Sequence, residues 1–252
     1  MQRLTTTLTV ALIIAVCAGC ASTPNTAAPE LVSSYKRIGV VSITAQVFSR
    51  QYVGFTMFGN ELEQIDSSSW DIDSKYEQQI ATELSSLGGF EVVQGAYSRP
   101  EFLHLTDQNR GPNWNAVEIP IKGYCAKNQV GAILATFAVN GPDFIGGTNQ
   151  FLRGAGFYVR GTNAQSYLHL ISGVALVDCQ TAKPIAVRGL ASLRDGFPGQ
   201  ILRASPLKAA PLEVARAPLK QLTEAQVATI RSELVELPKK SWAPTLRAIF
   251  GK

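Results

Sequence analysis

A chain of 252 residues is long enough for one large domain or two small ones with a buried core, and its 46% hydrophobic and 17% charged residues are a globular balance. That balance excludes a disordered chain and a multi-span membrane protein. The formal net charge of +4 is small and scattered, and Lys36-Arg37 and Lys239-Lys240 read as solvated pairs at element ends, so no nucleic-acid partner is expected.

The chain opens with Arg3 and then an apolar stretch from Leu8 to Ala18, interrupted only by Thr9. This is too short to span a bilayer as a helix but fits the apolar core of a signal peptide. The run Val16-Cys17-Ala18-Gly19-Cys20 resembles the bacterial lipobox, with small residues at −2 and −1 before the lipidated Cys. Cys17 departs from the usual Leu at −3. Residues 1–19 are therefore expected to be a lipoprotein signal peptide and Cys20 the lipidated mature N-terminus. The acyl chains would hold the protein on a membrane without spanning it, each buried CH₂ contributing about 0.8 kcal/mol. Ala21 follows the Cys. Asp at that position is the inner-membrane retention signal in enterobacteria-like sorting, so the resemblance implies the outer membrane, facing the periplasm. Residues 20–34, poor in apolar side chains and holding Pro24 and Pro29, read as a flexible tether.

Ile38, Val40, Val41 and Ile43 predict a first strand over 37–43, and Tyr52 to Ile65 an extended segment or hairpin with Gly59-Asn60 as the turn. Ile72, Tyr76, Ile80, Leu84 and Leu87 predict a helix; Ser74 and Glu77 have capping-box spacing, and Gly88-Gly89 stops it. A short strand over 90–93, a loop over 98–112, a helix over 115–127 despite Pro120 and a strong strand over 130–139 follow. The segment 140–156 carries five glycines and reads as a mobile hairpin loop. Strands are expected over 157–160, 167–177 and 185–193, with 178–184 as a hairpin turn. Residues 195–222 read as mostly irregular. Thr223 and Gln226 have capping-box spacing before a helical stripe of Val227, Ile230, Leu234 and Leu237, and a last helix over 241–250 would hold Pro244 in its first turn.

This order predicts an α/β fold: a mixed-sheet α/β sandwich over 35–200, with 201–252 as a C-terminal helical extension packed on it. The opening Tyr-Lys-Arg-Ile-Gly-Val-Val-Ser at 35–42 and the element order over roughly 35–193 resemble a group of uncharacterised bacterial lipoproteins. Those are similar in fold to the curli secretion lipoprotein and to lipoprotein activators of penicillin-binding proteins. The resemblance implies a fold and a compartment, and it carries no catalytic motif.

No Gly-x-Ser-x-Gly is present, and only His104 and His169 are available as a base; each reads as a satisfied structural imidazole. The spacings Ser33-x-x-Lys36 and Ser205-x-x-Lys208 match by chance, without partner motifs. Beyond Cys17 and Cys20 of the leader there is no Cys-x-x-Cys, and neither His-Glu-x-x-His nor a nucleotide-type glycine loop occurs, so no metal and no cofactor are expected. Glu61, Glu63, Asp66, Asp71 and Asp73 read as solvated acids. In an oxidising compartment Cys125 and Cys179 are candidates for a disulfide, two buried free thiols being the alternative. Phe144, Ile145, Phe151 and Leu152, set among glycines, are the candidate contact loop. The expected function is a membrane-anchored, non-enzymatic lipoprotein that binds an envelope protein partner or forms a homo-oligomer. The alternatives are an envelope hydrolase acting on peptidoglycan or carbohydrate, and a small-ligand-binding lipoprotein.

Overall fold

The computed structural model describes residues 23–106, 111–161, 165–190 and 206–252. Cys20 and the whole signal peptide lie outside these residues. Among the described residues ten strands form one sheet: β1 (Arg37–Ile43), β2 (Val47–Val53), β3 (Glu61–Asp66), β4 (Glu91–Val93), β5 (Ala132–Ala138), β6 (Asn140–Pro142), β7 (Phe151–Arg160), β8 (Gln165–Asp178), β9 (Pro184–Gly189) and β10 (Leu207–Ala209). The main order is β3-β2-β7-β8-β5-β1-β4, with β9 and β10 also paired to β8 and β6 to β7. β1 is parallel to β4 and β5, β2 is parallel to β7, and the other pairs are antiparallel, which makes the sheet mixed as expected. The 14-residue β8 joins two halves: its first half pairs with β7 and β10, its second with β5 and β9.

In the half around β1, both faces of the sheet are covered, which explains the unbroken apolar run of that strand. Ile38 and Val40, with Ala132 and Leu134 of β5, point to helices α2 (Ile72–Leu87), α6 (Glu224–Glu236) and α7 (Lys239–Phe250), where Tyr76, Leu84, Trp242 and Leu246 are buried. Val41, Ile43, Ile133 and Phe137 point the other way, to α3 (Arg99–Phe102) and α4 (Glu118–Asn128), against Phe102, Val117 and Ile121. In the β2–β7 half, the α2/α6/α7 side is filled by Phe48, Phe157 and Leu168. Among the described residues, the opposite side carries a small cluster of Val53, Leu152, Tyr158 and Ile171 under the turn at 143–150. This uneven covering leaves a cleft.

Several expectations are corrected. The tether reading of 20–34 fails from Pro24 onward: Ala27 N–H donates to Ile249 C=O (2.8 Å), Val187 N–H to Pro24 C=O (2.9 Å), and α1 (Pro29–Ser34) buries Val32. Backbone hydrogen bonds tie this segment down where side-chain polarity predicts freedom. Ser74 does not cap: α2 begins at Ile72, and Asp71 stands before it with φ 55° and no side-chain cap. The region 98–112 contains α3 and a 3₁₀ turn, Leu103–Leu105. β7 starts at Phe151, so the glycine-rich loop is shorter than expected, and the Asp143 carboxylate closes it by accepting from Ile145, Gly146 and Thr148 N–H. In 206–252, β10 and α5 (Leu212–Arg216) appear where irregular chain was expected, β10 joins the main sheet, and α7 starts at Lys239, which puts Pro244 inside the helix.

Candidate functional site

The acids expected to be solvated have unlike surroundings. Glu61 and Glu63 both face Arg50 (3.6 and 3.2 Å), and the carboxyl of Asp66 is held below the usual range by the Ser68 hydroxyl first and by the Ser68 N–H (2.8 Å) second. Asp73 contradicts the expectation. It is buried where α2 begins, and its carboxylate accepts from Ser42 Oγ, Thr44 N–H (2.8 Å), Ala45 N–H and Gln46 Nε2 (2.7 Å). Thr136 Oγ1 donates to Ser42 Oγ (2.8 Å), extending this network to β5. Ser42 beside a carboxylate is sealed from solvent and has no imidazole among these partners, so the group fastens β1 to α2.

A second network was not foreseen in the sequence. Glu77 lies on α2 and accepts from Ser42 N–H (3.1 Å), the Tyr97 hydroxyl and Arg99 Nη2 (3.0 Å). Burial pushes the Glu77 carboxyl up against the opposing pull of Tyr97 and Arg99, and burial together with Glu77 raises the Tyr97 phenol. The signal that could have found it is the α2 spacing, which puts Asp73 and Glu77 on one face, one turn apart.

His169 contradicts the satisfied-imidazole expectation in part. It is fully buried on β8; Nδ1 meets Gly154 C=O at 3.2 Å, and Nε2 has no partner among the described residues. Burial lowers its pKa to about 4. His104 lies exposed on its 3₁₀ turn. The structure joins Cys125, in α4, to Cys179, just past β8, with Cα atoms 5.9 Å apart.

The candidate contact loop divides. Leu152 is 1% exposed and belongs to the small cluster, so it is removed from the contact set. Phe144 and Ile145 are half-buried against the same cluster. Phe151 is 65% exposed. The larger apolar exposure was missed by sequence reading: at the β2–β3 turn Phe55 is 85% and Phe58 93% exposed, and Leu62 on β3 is 60% exposed.

Between β3 and Phe151 lies a cleft of about 350 Å³, lined by Ser49, Gln51, Leu62, Gln64, Asn140 and Arg153 among others. It adjoins a narrower pocket that also touches Ser49, Gln64 and Arg153 and reaches Thr44 just past β1, Ala138 at the end of β5 and Thr106 just past the 3₁₀ turn. Asp66, Asp71, Asp73, His104 and His169 line neither space. A broader open groove runs between α3 and α4 past Tyr97, Glu101, Ile119 and Lys127.

No family model and no curated protein matches this sequence. Solved structures do align with it. A PelC dodecamer from Paraburkholderia phytofirmans in space group C2 is 11% identical over 89% of this chain and 95% of that one, with a TM-score of 0.31. A second PelC dodecamer from that organism, in space group P6, is 10% identical over 89% and 93%, with a TM-score of 0.32. Lipoprotein GNA1162 from Neisseria meningitidis is 13% identical over 79% and 95%, with a TM-score of 0.31. Each is a protein to which this chain is distantly similar.

Proposed function

We propose that this chain is a lipid-anchored protein of the cell envelope whose folded domain makes non-catalytic contacts with a protein partner or a second copy of itself. The observation that carries the reading is the apolar hairpin. Phe55 and Phe58 project from the β2–β3 turn, and Leu62 continues the patch along β3, the edge strand at that end of the sheet. Exposed rings on an open edge are a liability unless something covers them. The Ala18-Gly19-Cys20 run supplies the anchor, with the outer membrane, facing the periplasm, as the proposed address.

The hydrolase alternative has less support, because Asp73 is spent on four donors and His169 is sealed. The test is in-cell photocrosslinking from a probe at Phe58, in the wild-type and Cys20→Ala backgrounds, with the purified full chain weighed by light scattering. The expected result is a discrete crosslinked band in the membrane fraction, lost or displaced in Cys20→Ala. A monomer that crosslinks to nothing would remove the contact reading; a wild-type product without acyl mass would remove the anchor.

A further inference from the structure

We propose that the corner where the anchored chain enters the fold binds the anionic headgroups of the anchoring membrane. This rests on the lipid-anchor reading and deepens it; the hairpin tip plays no part in it. The starting point is the docking of the entering segment. Pro24 C=O accepts from Val187 N–H on β9, Thr26 Oγ1 donates to Ala248 C=O (2.9 Å), and Ala27 N–H donates to Ile249 C=O. Residues 24–27 therefore lie along β9 and the last turn of α7. In a chain acylated at Cys20, residues 21–23 are all that stands outside this clasp. Their full extension is about 14 Å, less than roughly two Debye lengths at physiological salt, so any charge on the corner is felt at the headgroups.

That charge is positive. Arg188 follows Val187 on β9, and Arg247 and Lys252 flank Ala248 and Ile249 in sequence. Alternation along β9 puts Arg188 on the face of Ala186, whose side chain belongs to the core that α7 covers. Arg188 and the exposed Arg247 have no ion pair and no side-chain hydrogen bond among the described residues, whereas Arg37, Arg50, Arg99 and Lys208 each face a carboxylate. Lys252 Nζ donates to Leu87 and Gly88 C=O (2.9 and 3.0 Å) and stands 5.7 Å from the centre of the Phe90 ring, partners that leave its charge uncancelled. Against these three cations the segment 23–34 offers one acid, the exposed Glu30 on α1. The bilayer is the source of anions that the short leash holds nearest. An unpaired guanidinium can donate two N–H groups to one phosphate, and a basic patch is the usual second signal beside an acyl anchor.

The test uses the acylated wild type inserted into preformed vesicles of phosphatidylethanolamine mixed with phosphatidylglycerol or, in equal proportion, with phosphatidylcholine. The readout is the rate at which phenylglyoxal modifies each arginine, followed by mass spectrometry. Arg188 and Arg247 are expected to react about fivefold more slowly on the phosphatidylglycerol vesicles, the scale of one cation held at an anionic surface. High salt should remove the difference, and Arg231, exposed on α6, should react alike on both. Arg247→Gln is expected to return Arg188 toward its faster rate, because one cation fewer holds the corner down. Acyl mass with equal arginine rates on the two vesicles, or with a slowing that salt does not relieve, would overturn this face and leave the anchor standing. A wild type without acyl mass would overturn both.

Discussion

At His169 the fold carries an imidazole into the interior of β8 with one ring nitrogen bonded to Gly154 and the other unpartnered among the described residues. Its pKa falls from the ordinary 6.5 to about 4 because burial opposes the charge. The folded state thus binds the proton more weakly than the unfolded chain. The stability this gives is complete above pH 6.5 and is lost as pH falls toward 4, at a slope of up to about 1.4 kcal/mol per pH unit. Asp143, whose charge reaches the ring, counteracts the shift only partly. Urea unfolding at pH 7 and pH 5 should therefore show a smaller loss in His169→Gln than in the wild type; equal losses would refute the buried neutral imidazole. Nothing local in Tyr167 to Val177 foretells this, because the strand pattern places His169 on a face without saying what covers it. The same limit hid Asp73. Its position in the first turn of a helix reads as a dipole effect, and only the approach of β1 converts it into a buried acceptor.

Two segments share the capping-box spacing and differ in outcome. Thr223 accepts from Gln226 N–H while Gln226 Oε1 accepts from Thr223 N–H (2.8 Å), and α6 starts there. Ser74 lies inside α2, its hydroxyl accepting from Arg99 Nη2 (2.9 Å). Thr223→Ala should lower the unfolding free energy by about 1 kcal/mol, and Ser74→Ala by clearly less, as read from denaturant midpoints at constant slope. Elements whose evidence is local were legible: the β-branched run of β1, the apolar period of α2, the glycine stop at Gly88 and the turn at 178–184. Elements made by distant pairing were not. β10 is three exposed residues that become a strand only because β8 offers its edge. The cleft was likewise illegible, since Gln51, Gln64 and Asn140 come from three strands and their alignment is a matter of register.

Across the molecule, the sheet is clamped between helices on both sides around β1, and the Cys125–Cys179 bond ties α4 to the chain just past β8 across 54 residues of sequence. In the chain-entropy account such a loop stabilises by about 4 kcal/mol. Reduction, or the double variant Cys125→Ala with Cys179→Ala, should lower stability on that scale, and an unchanged midpoint under reducing conditions would show that the bond is not formed in the protein as isolated. The docking of residues 24–34 has a mechanical consequence for a chain anchored at Cys20. Pro24 is held to Val187, and Ala27 to Ile249, so only three residues separate a lipidated Cys20 from the folded body. Fully extended, that leash spans about 14 Å, roughly half the thickness of a bilayer's hydrocarbon core. Lipidated at Cys20, such a domain would ride at the headgroups with the corner formed by β9 and the end of α7 turned inward, and it would meet partners in the plane of its own membrane, its leash being too short to reach an opposing one.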